Sequence, residues 1–293
     1  NSSMKKEIPA YVQYSIGALA LVLAVMGFAS ALGDSNWNQV NQVAAPVVIP
    51  NPFAGIELEA KAAFVYEPDT GRVFYAKNQD LILPIASVTK VMTALTASEL
   101  LPPATIVELS PKRHYKVKDL VALTLVSSSN DGAMALASST RAILGRDLVA
   151  EMNTEAASLG LTRTSFKNPT GLDLNALEAS SHSTASDIAH LLTHVLALHP
   201  ELLYATKFSE IERGTVEGIR HRFENTDEIV GDLPGLIASK TGFTDIAGGN
   251  LVIAFDRGLN QPVVVVVLGS SEVGRFADVA QLVSATLEAA GLS

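Results

Sequence analysis

The chain has no cysteine in its 293 residues. That excludes disulfides, a thiolate nucleophile, cysteine-type zinc sites and a lipidated N-terminal cysteine, though an exported protein can do without disulfides. There is no GxGxxG or Walker-type loop to cradle phosphates, and no HExxH pair for a catalytic metal. Basic clusters are missing too: the formal net charge is -9 and the isoelectric point about 5.2, which argues against a nucleic-acid partner. No internal repeat or low-complexity tract stands out. Charge is also absent from the whole of residues 10–32 (AYVQYSIGALALVLAVMGFASAL).

As a helix, that run would span about 34 Å, enough for a bilayer core. Lys5 and Lys6 precede it and Asp34 follows, so the expected orientation keeps the N-terminus in the cytoplasm and exports the rest. The expected organisation is a short cytoplasmic tail (1–9), a transmembrane anchor or uncleaved signal (10–32), a linker (33–56) and one globular domain (57–293). The catalytic domain would then be extracytoplasmic on a single-pass cell-membrane protein. The rival is a signal peptide cleaved near Ala31, where Ala29-Ser30-Ala31 supplies small residues.

Within the globular part, Ala62 to Lys77 reads as a hairpin about the turn Pro68-Asp69-Thr70-Gly71. A helix follows Pro84, a short extended run covers Thr105 to Leu109, and helices are expected over 119–127, 132–144, 148–159 and 183–198. Strands return at 233–244, 250–255 and 262–268, with Val263 to Val267 patterned for burial on both faces, before a last amphipathic helix over 276–290. Strands at both ends of one domain must share a sheet, with the helical middle beside it: an α+β fold.

Three stretches carry chemistry. Ser87 and Lys90 sit one turn apart at a helix start, where a neutral amine can take the serine proton. Ser128-Ser129-Asn130 opens a later helix, and helix capping alone would account for it. Lys240-Thr241-Gly242 lies on a strand, with Lys240 and Gly242 on one face and Thr241 on the other; a glycine there lets a ligand approach the backbone. His190 and His194 are four apart on a helix, with Asp187 on a neighbouring face. No nearby stretch supplies a further ligand, so no metal is expected there.

In this order, the three stretches resemble the S-x-x-K, S-x-N and K-T-G motifs of the penicillin-recognising serine peptidases. The likeness is greatest to the low-molecular-mass D-alanyl-D-alanine carboxypeptidases. Leu159-Gly160-Leu161, Thr164, Phe166, Asn168, Gly171-Leu172-Asp173, Ser183-Thr184-Ala185 with Asp187, and Ala247-Gly248 with Asn250-Leu251-Val252 also follow their pattern over roughly residues 57 to 290. The resemblance implies a β-lactamase/transpeptidase-like fold, an antiparallel sheet with helices plus a mainly helical subdomain. It implies Ser87 as nucleophile, Lys90 as base, and Ser128 as proton relay. Asn130 would bind the substrate amide, Lys240 and Thr241 the terminal carboxylate, and Gly242 would lie beside them. The N–H groups of Ser87 and Phe243 would form the oxyanion hole. The implied substrate is a peptidoglycan stem peptide ending in D-Ala-D-Ala, with β-lactam antibiotics as covalent inhibitors and no metal or organic cofactor. An endopeptidase, a β-lactamase and a non-catalytic penicillin-binding sensor are the alternatives. Two departures are visible: the segment from Ser87 to Ser128 looks shorter than in many relatives, implying a trimmed hairpin, and no C-terminal β-domain follows the last helix.

Overall fold

The computed structural model describes residues 51–291. The tail, the apolar run 10–32 and residues 33–50 of the linker lie outside the described residues. Among the described residues no helix is long and apolar enough to cross a membrane.

Among the described residues the first elements are the hairpin, β1 (Ala62–Glu67) and β2 (Arg72–Lys77), and a short β3 (Leu83–Pro84). A 3-10 turn, Ala86–Thr89, leads into α1 (Lys90–Leu100). A second hairpin, β4 (Ile106–Ser110) and β5 (Arg113–Lys116), precedes α2 (Val117–Val126), α3 (Asn130–Leu144) and α4 (Leu148–Ser158). Then come β6 (Ser165–Phe166), β7 (Ser181–Ser183), α5 (Ala185–Leu198) and one turn, α6 (Pro200–Leu203). A third hairpin, β8 (Glu210–Gly214) and β9 (Arg220–Glu224), leads to β10 (Leu236–Thr244), β11 (Gly248–Asp256), β12 (Pro262–Ser270) and α7 (Gly274–Ala289).

Strands from the two ends of the described domain do share one sheet. Its order is β10-β11-β12-β1-β2 and every pairing is antiparallel. β12 lies at its centre, and Val263 to Val267 are fully buried. Their alternation divides two cores: Val264 and Val266 join the core built with α1 to α5, while Val263, Val265 and Val267 join the one under α7. Each buried valine contributes about 1.5–3 kcal/mol relative to exposure, so β12 tolerates polar substitution on neither face.

Local rules set the helix ends. Asp147 caps α4 through the N–H groups of Val149 and Ala150, and Thr184 caps α5 through that of Asp187. Gly145 ends α3 in the left-handed region. The extended run expected over Thr105 to Leu109 is β4, but its partner β5 and the β8–β9 hairpin were not expected. Their strands are short and dense in charge (RHYK, EIERG, RHRFE), without the apolar alternation that marks a half-buried strand.

Candidate active site

Three elements from distant parts of the chain meet at one cleft. Ser87 stands in the 3-10 turn ahead of α1, and the Lys90 ammonium donates to Ser87 Oγ at 2.8 Å. It also donates to Asn130 Oδ1 at 2.8 Å and to the Thr170 carbonyl at 2.7 Å. Asn130 begins α3, where Ser129 accepts from the Gly132 N–H as the N-cap. The expected capping role and the approach to the cleft therefore coexist in adjacent residues. Ser128 Oγ accepts from Lys240 Nζ at 3.0 Å, and Lys240 also donates to the Thr241 carbonyl at 2.8 Å. Thr241 Oγ1 is hydrogen-bonded to Thr226 Oγ1.

β10, the edge strand carrying Lys240-Thr241-Gly242, lies directly against the serine turn. A Cβ on Gly242 would fall 2.7 Å from the Ile85 carbonyl oxygen and 3.2 Å from the Ser87 nitrogen. Only a glycine allows that approach. Phe243, the next residue, is exposed. Two non-glycine residues beside the reacting groups, Ala86 (φ 46°) and Ser128 (φ 55°), are in the left-handed region. Such conformations cost about 1–3 kcal/mol each and persist only where surrounding contacts impose them.

Both lysines are buried. Burial lowers the Lys90 pKa to about 7, which leaves much of the amine neutral near neutral pH. Lys240 is pushed well below the usual lysine range, first by burial and then by the charges of Lys90 and Arg275, with Asp227 opposing. The Lys90 shift comes from burial, and the repulsion between the two lysines registers on Lys240.

Sequence reasoning missed several participants. Arg275, at the start of α7, is buried and donates to the Gly242 carbonyl at 3.0 Å, fixing the strand from behind. Asp227 is buried close to Lys240 and Arg275, and its pKa is raised by burial. The Thr170 carbonyl belongs to a loop organised by Asn168, whose Oδ1 accepts from the N–H groups of Thr170 and Gly171. Gly171 (φ 77°) packs so tightly on the serine turn that a Cβ would fall 1.9 Å from the Ala86 carbonyl oxygen. Asn168 and Gly171 were legible as parts of a family pattern; a backbone carbonyl leaves no mark in sequence.

The histidine pair does not form a centre with Asp187. That carboxylate accepts from the Arg163 N–H and Thr164 Oγ1, and His190 sets its ring edge-on to Tyr66 at 5.6 Å between centroids.

A hydroxyl, a low-pKa amine within hydrogen-bond reach of it, and a second hydroxyl–amine pair across an α+β cleft define a serine acyl-transfer hydrolase. The comparisons agree. Residues 46–108 and 102–272 match the family model described as D-alanyl-D-alanine carboxypeptidase, and the chain belongs to that family of serine peptidases. It is 34% identical over 262 residues to the D-alanyl-D-alanine endopeptidase of Pseudomonas aeruginosa, covering 80% of each chain. To the D-alanyl-D-alanine carboxypeptidase DacF of Bacillus subtilis it is 31% identical over 234 residues, which cover 73% of this chain and 58% of the Bacillus protein. Its fold matches a penicillin-binding protein of Listeria monocytogenes in the ampicillin-bound form, with a TM-score of 0.69 and 32% identity over 78% of this chain and 98% of that one.

Proposed function

We propose that the chain is a serine-type D-Ala-D-Ala carboxypeptidase that removes the terminal D-alanine of peptidoglycan stem peptides through an acyl-enzyme on Ser87. The observation that carries this reading is the 2.8 Å contact between Ser87 Oγ and Lys90 Nζ, an amine whose pKa is lowered to about 7. Neutral Lys90 accepts the serine proton as Oγ attacks the carbonyl of the penultimate residue. The oxyanion is held by the N–H groups of Ser87 and Phe243, each donor worth about 3 kcal/mol of barrier. Ser128, joined to Lys240, delivers a proton to the leaving amine. Asn130 spends its Oδ1 on Lys90 and keeps its NH₂ for the substrate amide. Lys240 and Thr241 bind the terminal carboxylate, and Gly242 leaves room for the backbone. Water then releases the acyl group. A β-lactam acylates Ser87 in the same way and leaves slowly.

A second reading, a D-Ala-specific endopeptidase, is favoured by the Pseudomonas relative, which bears that name and aligns over four-fifths of both chains. For residues 10–32 we propose a membrane anchor that places the catalytic domain outside the cytoplasm. The test is to mix the protein with a fluorescent penicillin, then follow digests of a D-Ala-D-Ala peptide and of cross-linked muropeptide dimers by mass spectrometry. Loss of one D-alanine supports the carboxypeptidase, and cleavage of dimers the endopeptidase. Rapid drug turnover would indicate a β-lactamase, and stable labelling without cleavage only a sensor. Labelling that persists in Ser87→Ala would remove Ser87 from the nucleophile's role.

A further inference from the structure

At the end of α1 remote from Ser87, three side chains from three helices converge. Glu99 of α1, Glu155 of α4 and His194 of α5 each bring one ligand atom to within 4.8 Å of the other two. All three lie toward the C-terminal ends of their helices, where unsatisfied carbonyls make the potential negative and favour a cation. No lysine or arginine occupies the last turn of α1, α4 or α5. Among the described residues Glu155 enters no ion pair, and Glu99 meets only the imidazole of His199, at 3.6 Å. Two carboxylates thus face each other at the negative ends of helices without a permanent positive charge. Burial and then the charge of Glu155 raise the Glu99 pKa, with His199 and His194 opposing.

We propose that Glu99, Glu155 and His194 bind one divalent metal ion of the zinc type, with His199 placed to serve as a fourth ligand. Two carboxylate oxygens and an imidazole nitrogen are a donor set that zinc accepts, and a fourth position remains for His199 or water. The ring of His199 lies 6.5 Å from that of His194, centroid to centroid. Tetrahedral zinc separates its ligand atoms by roughly 3.4 Å at ordinary bond lengths, so side-chain rotations that bring atoms now within 4.8 Å of one another closer by up to about 1.4 Å complete the site. The ion would neutralise the facing carboxylates and tie together the C-terminal turns of α1, α4 and α5. The ligands belong to three segments far apart in sequence, which is why no motif announces them.

The test uses the full chain stripped with a chelator and then titrated with zinc, and separately with cobalt(II) as a spectroscopic probe. We expect one equivalent of metal per chain, the visible absorption of four-coordinate cobalt with a histidine ligand, and a rise in Tm of about 5 °C at a hundredfold excess of zinc over its Kd. His194→Ala should weaken binding at least tenfold. Glu155→Gln, nearly isosteric, should raise Tm in chelator by removing the facing charge, and should lose the zinc-induced rise. Ser87→Ala should bind metal as the parent does, keeping this outcome independent of the catalytic assignment. The proposal is overturned if one-to-one binding does not occur, or if His194→Ala and Glu155→Gln bind as tightly as the parent.

Discussion

The two ends of α1 invert the charge pattern that a helix prefers. Anions are favoured at an N-terminus and cations at a C-terminus, yet α1 starts with a buried Lys90 and ends near Glu99, with no acidic residue in its first turn and no basic one in its last. At the first end the cost has a use. A buried amine at the positive end of a helix gives up its proton readily, which suits a base beside Ser87. At the second end the same kind of cost has no catalytic outlet. There the neighbours are Glu155 and two histidines, groups able to hold a cation. Charges that oppose a helix dipole thus stand at both ends, and the roles proposed for them are proton transfer at one and ion binding at the other.

The comparison can be broken first at the catalytic end. Ser87→Ala should lower the rate of penicillin acylation by about 10⁴-fold or more, with the circular dichroism spectrum unchanged. Gly242→Ala should follow, with about a hundredfold loss and a destabilisation of about 1–3 kcal/mol, because the new methyl meets the backbone of Ile85 and Ser87; urea titration and labelling kinetics read both effects. Lys240→Ala should reduce turnover of peptides with a free terminal carboxylate more than of their amidated counterparts. Equal losses would detach Lys240 from carboxylate binding. The acylation rate should fall about tenfold per unit below pH 7 and level off above it. The sign follows from a lysine whose neutral form is active and whose pKa is about 7. The smallest effect belongs to the other end: in chelator, Glu99→Gln should stabilise the fold by about 0.3–1 kcal/mol, measured as the shift of the urea midpoint.

What could be read before folding, and what could not, follows from range. Ser87 and Lys90 lie one turn apart, and Lys240, Thr241 and Gly242 are consecutive, so local periodicity was enough to put the first pair at a helix start and the other three on a strand. The patterned resemblance then supplied the order in which they meet. The strongly apolar β12 was readable as a strand buried on both sides for the same local reason. Arg275 was not readable, because nothing near it in sequence hints that its guanidinium turns inward to a carbonyl on β10. Glu99 and Glu155 belong to no sequence motif, and only the packing of α1 against α4 and α5 brings them to His194. The charged hairpins β4–β5 and β8–β9 were obscured because their pairing depends on backbone hydrogen bonds more than on apolar alternation.

Gly171 touches the serine turn from outside the reaction path, with no space for even a methyl group between it and Ala86. The turn carrying Ser87, the proposed nucleophile, is thereby wedged from behind by a loop whose own shape depends on Asn168. Inherited changes in that loop can retune reactivity toward drug and peptide alike while every group that touches either molecule stays the same. A search for tolerance-conferring variants should thus extend to residues 168–172 as well as to the lining of the cleft.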